Sequence, residues 1–166
     1  MYKIRRILIT TDFSEYAACA LDYALSLADA HDADLHILHV VEHKHTKAKK
    51  GAKQRKASTK TLEENARRKM NKFVAERIEP TVAVRPIVLA GHPASEIVRY
   101  ARSHSIDVIV IATHGRTGLA HAFLGSIAEK VVRYSPVPVL AVKPAAIIER
   151  LVTEEDVLKS LHITSS

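Results

Sequence analysis

The sequence predicts a single α/β domain: a doubly wound, three-layer fold with five parallel strands in the order 3-2-1-4-5 and helices on both faces. Three observations lead there. Five apolar runs of strand length alternate with segments of helical period, the pattern of βαβ units with right-handed crossovers. The runs are near-continuous Val, Ile and Leu, as strands covered on both faces tend to be. The prolines fall in or before only two of the runs, and proline is tolerated only at sheet edges, strand starts or bulges.

The first strand is expected at 7–9 and the second at 35–41, with the third at 82–89, the fourth at 108–112 and the fifth at 137–142. Pro86 lies inside the third run, and Pro136 and Pro138 open the fifth, so those two strands belong at the edges. Between the first two strands, residues 14–31 place Ala20, Ala24, Leu27 and Ala28 on one helical face, with Leu21 and Leu25 beside it. Ser14 suits the cap of this helix and Glu15 its first turn. A second helix is predicted from about 61 to 78, with Leu62, Ala66, Met70, Phe73 and Val74 inward. Pro93 suits the first turn of a third, which carries Ile97, Val98 and Ala101 at helical spacing. The fourth begins near Gly125-Ser126 and stops at Ser135-Pro136. Residues 1–143 form the domain. The remainder, 144–166, reads as a tail in which Thr153-Glu154-Glu155-Asp156 opens a short helix.

Composition narrows the class. No apolar run approaches the ~20 residues of a membrane span. The apolar stretch after the basic start reaches only to Ile9, too short for a signal-peptide core. The single cysteine, Cys19, excludes an internal disulfide framework, suits a reducing cytoplasmic setting and reads as a small core residue. The net charge is +7, but it is concentrated. Between His43 and Lys60 lie eight Lys and Arg and no acidic residue; the other 17 of the chain's 25 basic residues face 18 acidic ones. Such a like-charge block reads as a mobile solvated loop, 43–60, or as a contact for nucleic acid, an anionic lipid surface or an acidic protein.

Reversal of chain direction between strands one and four opens a crevice beyond their carboxyl ends, where open α/β sheets bind ligands. The first strand ends there in Thr10-Thr11-Asp12-Phe13-Ser14. The fourth ends in Ala112-Thr113-His114-Gly115-Arg116-Thr117-Gly118 and re-enters a helix at Gly125-Ser126. Glycines let backbone approach oxygen atoms, and the free N–H groups and dipole of a helix start favour anions such as phosphate. Ser126 adds a hydroxyl and Arg116 a charged donor. Asp12 is placed to accept from ribose hydroxyls. Each residue also has a structural reading, the glycines as turn formers, Ser126 and Asp12 as caps; their convergence on one crevice favours the site.

These residues resemble the universal stress protein family, whose fourth strand is followed by glycine, two residues, glycine, nine residues, then glycine and Ser or Thr. Here the pattern reads Ala112-Thr113-His114-Gly115, nine residues, then Gly125-Ser126. The opening Ile7-Leu8-Ile9-Thr10-Thr11-Asp12-Phe13-Ser14, the turn Gly91-His92-Pro93-Ala94 and the run Pro138-Val139-Leu140-Ala141-Val142 are similar as well. The resemblance covers about residues 3 to 143. It implies ATP, ADP or AMP in the crevice with a Mg or Mn ion on the phosphates. His114, Gly115, Arg116, Gly125, Ser126 and the backbone of Ile127 would hold phosphate; Asp12 would face the ribose, Thr10 and Val40 would flank adenine, and Thr11 would belong to the same nucleotide site. It also implies a homodimer through the fifth strand, from Val137 to Val142. Ala112 departs from the pattern: its methyl is harmless on extended backbone and obstructive at positive φ.

Enzyme signatures are lacking. There is no Walker-type P-loop and no Gly-x-Ser-x-Gly elbow. His43 and His45 have no cysteine or acidic ligand nearby in a metal-binding spacing. The sequence therefore describes a nucleotide-binding stress or signalling module with at most weak ATP hydrolysis. The alternative is an interaction module that binds no nucleotide and contacts an anionic partner through 43–60.

Overall fold

The computed structural model describes residues 3–42, 52–113 and 125–143. Nine elements follow in order: β1 (Arg6–Thr10), α1 (Glu15–His31), β2 (Asp34–Glu42), α2 (Ala52–Arg77), β3 (Val84–Gly91), α3 (Pro93–Ser103), β4 (Val108–Ala112), α4 (Ser126–Tyr134) and β5 (Val139–Val142). The sheet is parallel throughout and its order is β3-β2-β1-β4-β5, as the prolines required. Pro86 sits exposed on the edge strand β3, paired with Ile37.

Alternation along each strand divides the core into two layers. Ile7 and Ile9 face one side with Ile37, Val110, the Ala20, Leu21 and Ala24 row of α1, and Ala66, Met70 and Phe73 of α2. Leu8 faces the other side with Leu38, Ile109 and Ile111, Ile97 and Ala101 of α3, and Ala128 and Val131 of α4. Both faces of β1 and β4 are therefore covered, which explains their unbroken apolar runs. The lower ends of β1 and β4 are tied by Asp107, whose Oδ2 accepts from the N–H groups of Arg5 (2.7 Å) and Arg6 (2.9 Å).

Helix α1 starts as the sequence indicates: Ser14 is the N-cap and its hydroxyl accepts from Ala17 N at 3.2 Å. Three expectations are corrected. Helix α2 begins at Ala52, about nine residues early, so 52–60 is helix rather than loop; helical propensity of Lys, Arg, Gln and Ala outweighs like-charge repulsion there. Leu62 is 48% exposed and not inward; among the described residues of the helix the buried ones begin at Ala66. Cys19 is half-buried, off the α1 row that packs on the sheet. Residues 43–51 of the Lys-rich segment and the tail 144–166 lie outside the described residues.

Candidate functional site

Backbone hydrogen bonds assemble the crevice at the C-terminal edge of β1 and β4. Thr113, 1% exposed, follows β4 and joins three elements. Its N–H donates to Val142 O (2.8 Å), and its carbonyl accepts from Gly125 N (2.6 Å). The second bond seats the start of α4 directly on the end of β4. Gly125 is the N-cap, with φ −63° and ψ 148° and no side-chain cap, so the first-turn N–H groups of α4 keep their capacity for an outside acceptor. Ser126 is the first helical residue rather than the cap, and both it and Ile127 are exposed. A Cβ built on Gly125 falls 2.9 Å from Thr113 O, so this approach requires glycine. Ala112 ends β4 paired with Val142, on extended backbone that accepts its methyl without strain.

On the β1 side, Ile9 pairs with Val110, so the parallel strands β1 and β4 end, at Thr10 and Ala112, on the same edge of the sheet. Thr10 and Thr11 are buried, and Thr11 N donates to Leu38 O (2.9 Å), tying the strand exit to β2. Asp12 Oδ1 accepts from Ser14 N (3.0 Å) and from Ser14 Oγ (2.5 Å), which fixes the carboxylate at the mouth of the crevice. Val40 is half-buried near the end of β2, on the α3–α4 side of the sheet. The structure thus gathers Thr10, Thr11, Asp12, Ala112, Gly125 and Ser126 at one edge, with Val40 one strand away. His114, Gly115 and Arg116 lie outside the described residues.

Two residues of this edge escaped sequence reasoning. Phe13 holds φ 64°, the left-handed region that a bulky side chain seldom adopts. Its N–H donates to Thr11 Oγ1 (3.0 Å), and its ring packs on His39 (4.3 Å between centroids) and edge-on to Phe73 (5.9 Å). His39 Nδ1 donates to Thr11 O at 2.7 Å, so the imidazole holds the turn that presents Asp12. The signal was a polar residue at a core-facing position of an apolar run. Beside the turn a groove of about 380 Å³ opens between Asp12, Phe13 and Glu15 on one side and Lys69, Phe73 and Arg77 of α2 on the other.

A second polar cluster lies away from the crevice, on the α3 side of β2. His36, 3% exposed, shares a 2.9 Å hydrogen bond between Nδ1 and the Tyr100 hydroxyl, and Tyr100 stacks on His104 at 3.8 Å. Burial, then the Arg85 guanidinium, holds His36 below the usual histidine range, while Asp34 opposes and His104 and Arg6 add to the lowering. The unfolded chain therefore binds the proton more readily. The stability this neutral histidine contributes is full above about pH 6.5 and declines as pH falls below it. Thermal melts at pH 7.5 and 5.5 should show a larger drop for the native chain than for His36→Gln; equal drops would remove His36 as the cause.

The sheet order and the edge just described define a doubly wound α/β protein with a crevice between the ends of β1 and β4. Residues 3–143 match the model of the Universal stress protein family, and the chain belongs to that family. It is 32% identical over 157 residues to the universal stress protein MJ0577 of Methanocaldococcus jannaschii, covering 86% of this chain and 96% of that protein. Universal stress protein YxiE of Bacillus subtilis is 32% identical over 155 residues, 83% of this chain and 98% of its own. The solved structure of MJ0577 superposes with a TM-score of 0.74 at 31% identity, covering 86% and 98%. A universal stress protein solved in complex with cAMP shares the fold, with a TM-score of 0.57 at 22% identity over 86% of this chain and 98% of that one. Among the described residues no helix is long and apolar enough to cross a membrane.

Proposed function

We propose that this universal stress protein binds an adenine nucleotide, ATP in the first instance, in the β1–β4 crevice and acts as a cytoplasmic nucleotide-responsive module in stress signalling. The observation that carries the reading is the seating of the α4 N-terminus on the end of β4 through Gly125 N and Thr113 O, beside the exit of the neighbouring strand β1 that leads to Asp12. That pairing supplies N–H donors for phosphate and an acceptor for ribose. A fold relative holding cAMP is in keeping with it. His114, Gly115 and Arg116 would complete the phosphate cradle, with Thr10 and Val40 against the base.

Among the described residues no three His, Cys, Asp or Glu converge to hold a metal, so a Mg or Mn ion would be carried by the phosphate oxygens. Hydrolysis is at most weak in this reading, and the output is a conformational or partner-binding response. A second copy would pair along β5, whose outer edge has no described neighbour strand. The reading without nucleotide draws support only from the basic charge of residues 43–60; nothing in the crevice favours it.

Calorimetric titration of nucleotide-free protein with ATP and Mg²⁺ tests the reading, with two variants as controls. Asp12→Ala removes the ribose acceptor and both bonds to Ser14; Ser14→Ala removes the α1 cap and the hydroxyl bond to Asp12 but keeps the carboxylate and its bond from Ser14 N, at about 1 kcal/mol of stability. Expected are micromolar binding by the native chain, at least roughly tenfold weaker binding by Asp12→Ala (a lost charged hydrogen bond of ~1.5–3 kcal/mol) and near-native binding by Ser14→Ala. Absence of binding by the folded native chain overturns the proposal.

A further inference from the structure

The turn between β1 and α1 holds one residue out of its ordinary conformation. At φ 64° the Cβ of Phe13 crowds its own backbone, a state that costs a bulky side chain free energy. Such a conformation persists only where the surroundings impose it. Here three contacts do. The Phe13 N–H donates to Thr11 Oγ1 (3.0 Å). One side of the ring packs on His39 of β2, itself bonded to Thr11 O (2.7 Å). The other side meets Phe73 of α2 at an interplanar angle of 65°, the edge-on arrangement that aromatic pairs favour. Phe73 is 6% exposed, so the core fixes the seat that the Phe13 ring occupies.

The same turn sets the Asp12 carboxylate. Its Oδ1 accepts from Ser14 N and Ser14 Oγ, two bonds that span Phe13. Relaxing Phe13 to the usual φ of about −60° is a rotation of roughly 120° about its N–Cα bond. That rotation moves the ring and Ser14 together relative to Asp12, so the ring leaves its seat as the carboxylate loses its donors. A groove of about 380 Å³, lined by Asp12, Phe13, Glu15, Phe73 and Arg77 among others, gives the ring room to leave without displacing the core. On the α2 side the Arg77 guanidinium lies over the Phe73 ring (5.4 Å to the centroid) and bonds Glu15, the first residue of α1, at 2.7 Å. Phe13, Phe73, Arg77 and Glu15 thus close a circuit from the Asp12 turn to α2 and back to α1.

We propose that Phe13 is a positioning residue that couples occupancy of the β1–β4 crevice to helix α2. Nucleotide bound at the Asp12 carboxylate favours the φ 64° turn, which seats the ring on Phe73 and steadies residues 66–77. The inference rests on the nucleotide reading above and names the element that carries its conformational output. A ligand shifts such an equilibrium only through different affinity for the two states. Here the difference is the carboxylate, held by Ser14 in the seated turn alone.

The test uses the full chain with and without ATP and Mg²⁺, followed by amide hydrogen exchange and titration calorimetry. Two variants separate ring from backbone: Phe13→Gly takes φ 64° freely and lacks the ring, while Phe13→Ala lacks the ring and keeps the strain. In the native chain ATP should slow exchange at least roughly threefold both at 125–131, beside the crevice, and at 66–77. Phe13→Gly is expected to bind ATP within about threefold of the native chain and to keep the slowing at 125–131, but to lose it at 66–77. Phe13→Ala should bind about fivefold more weakly than Phe13→Gly and, without nucleotide, melt about 2 °C or more below it. Slowing at 66–77 that survives in Phe13→Gly, or that is missing from a native chain slowed at 125–131, overturns the coupling and leaves the crevice reading intact. Equal affinity and equal melting of the two variants also overturn it, since the turn would then carry no strain to release. A native chain that neither binds ATP nor slows at 125–131 overturns the crevice reading and the coupling together.

Discussion

Replacing Gly125 by alanine is expected to weaken ATP binding at least tenfold, and replacement by aspartate to abolish it. The backbone angles of Gly125 are ordinary for any residue, so the cause is not strain in φ. It is space: a Cβ at this position lies 2.9 Å from the carbonyl oxygen of Thr113. That oxygen cannot retreat, since Thr113 is held to Val142 on one side and accepts the Gly125 N–H on the other. The α4 start must therefore lift from the end of β4, carrying its N–H groups away from the crevice. Overpacking of this kind costs about 1–3 kcal/mol of stability, which at roughly 2–4 °C per kcal/mol is visible in a melt. Aspartate adds a like charge where phosphate would sit. Titration calorimetry beside a thermal melt separates the two effects, and native affinity in Gly125→Ala would remove this junction from the site.

Leu140→Asp is expected to convert a dimer into a monomer. β5 pairs with β4 alone among the described strands, which leaves a row of backbone donors and acceptors along its other edge. Leu140, in the middle of this short strand, is 37% exposed, and Val132 and Tyr134 of the neighbouring α4 are exposed as well. A twofold contact would place the same patch on both copies, so a single substitution introduces two carboxylates into one interface. Like charges brought together and desolvated there cost several kcal/mol. Size-exclusion chromatography with light scattering at micromolar concentration reads the outcome: the native chain should elute at twice its 18.4 kDa mass and the variant at one. A native monomer would end the β5 pairing proposal, and a dimeric variant would move the interface elsewhere.

The elements were legible where one physical constraint dominated. The central strands β1 and β4 show as unbroken apolar runs because both faces are covered, while β2 is interrupted by His36 and His39. Pro86 and Pro138 disclosed the edges because a missing N–H is tolerable there and not between two neighbours. Ser14 was legible as a cap from its place alone. The errors arose where local signals compete. The basic run at 52–60 satisfies helix propensity and violates charge balance, and reading the second alone gave a loop where the chain makes a helix. Leu62 has the helical spacing of a core residue, but it is exposed.

The candidate site divides the same way. That Asp12, Ala112, Gly125 and Ser126 meet at one edge of the sheet was legible because strand ends and a helix start converge by topology, and topology follows from pattern. Phe13 and His39 were not found, since their roles rest on a ring contact and a 2.7 Å bond between segments 28 residues apart. By itself the sequence determined the strand order, the crevice and its family, because hydrophobic period and the lost proline donor are properties of each residue wherever it goes. The tertiary structure decided what depends on distance: the 2.9 Å approach at Gly125, the imidazole that props the Asp12 turn, and the exposure of Leu62. Those follow from close packing, which no residue specifies alone.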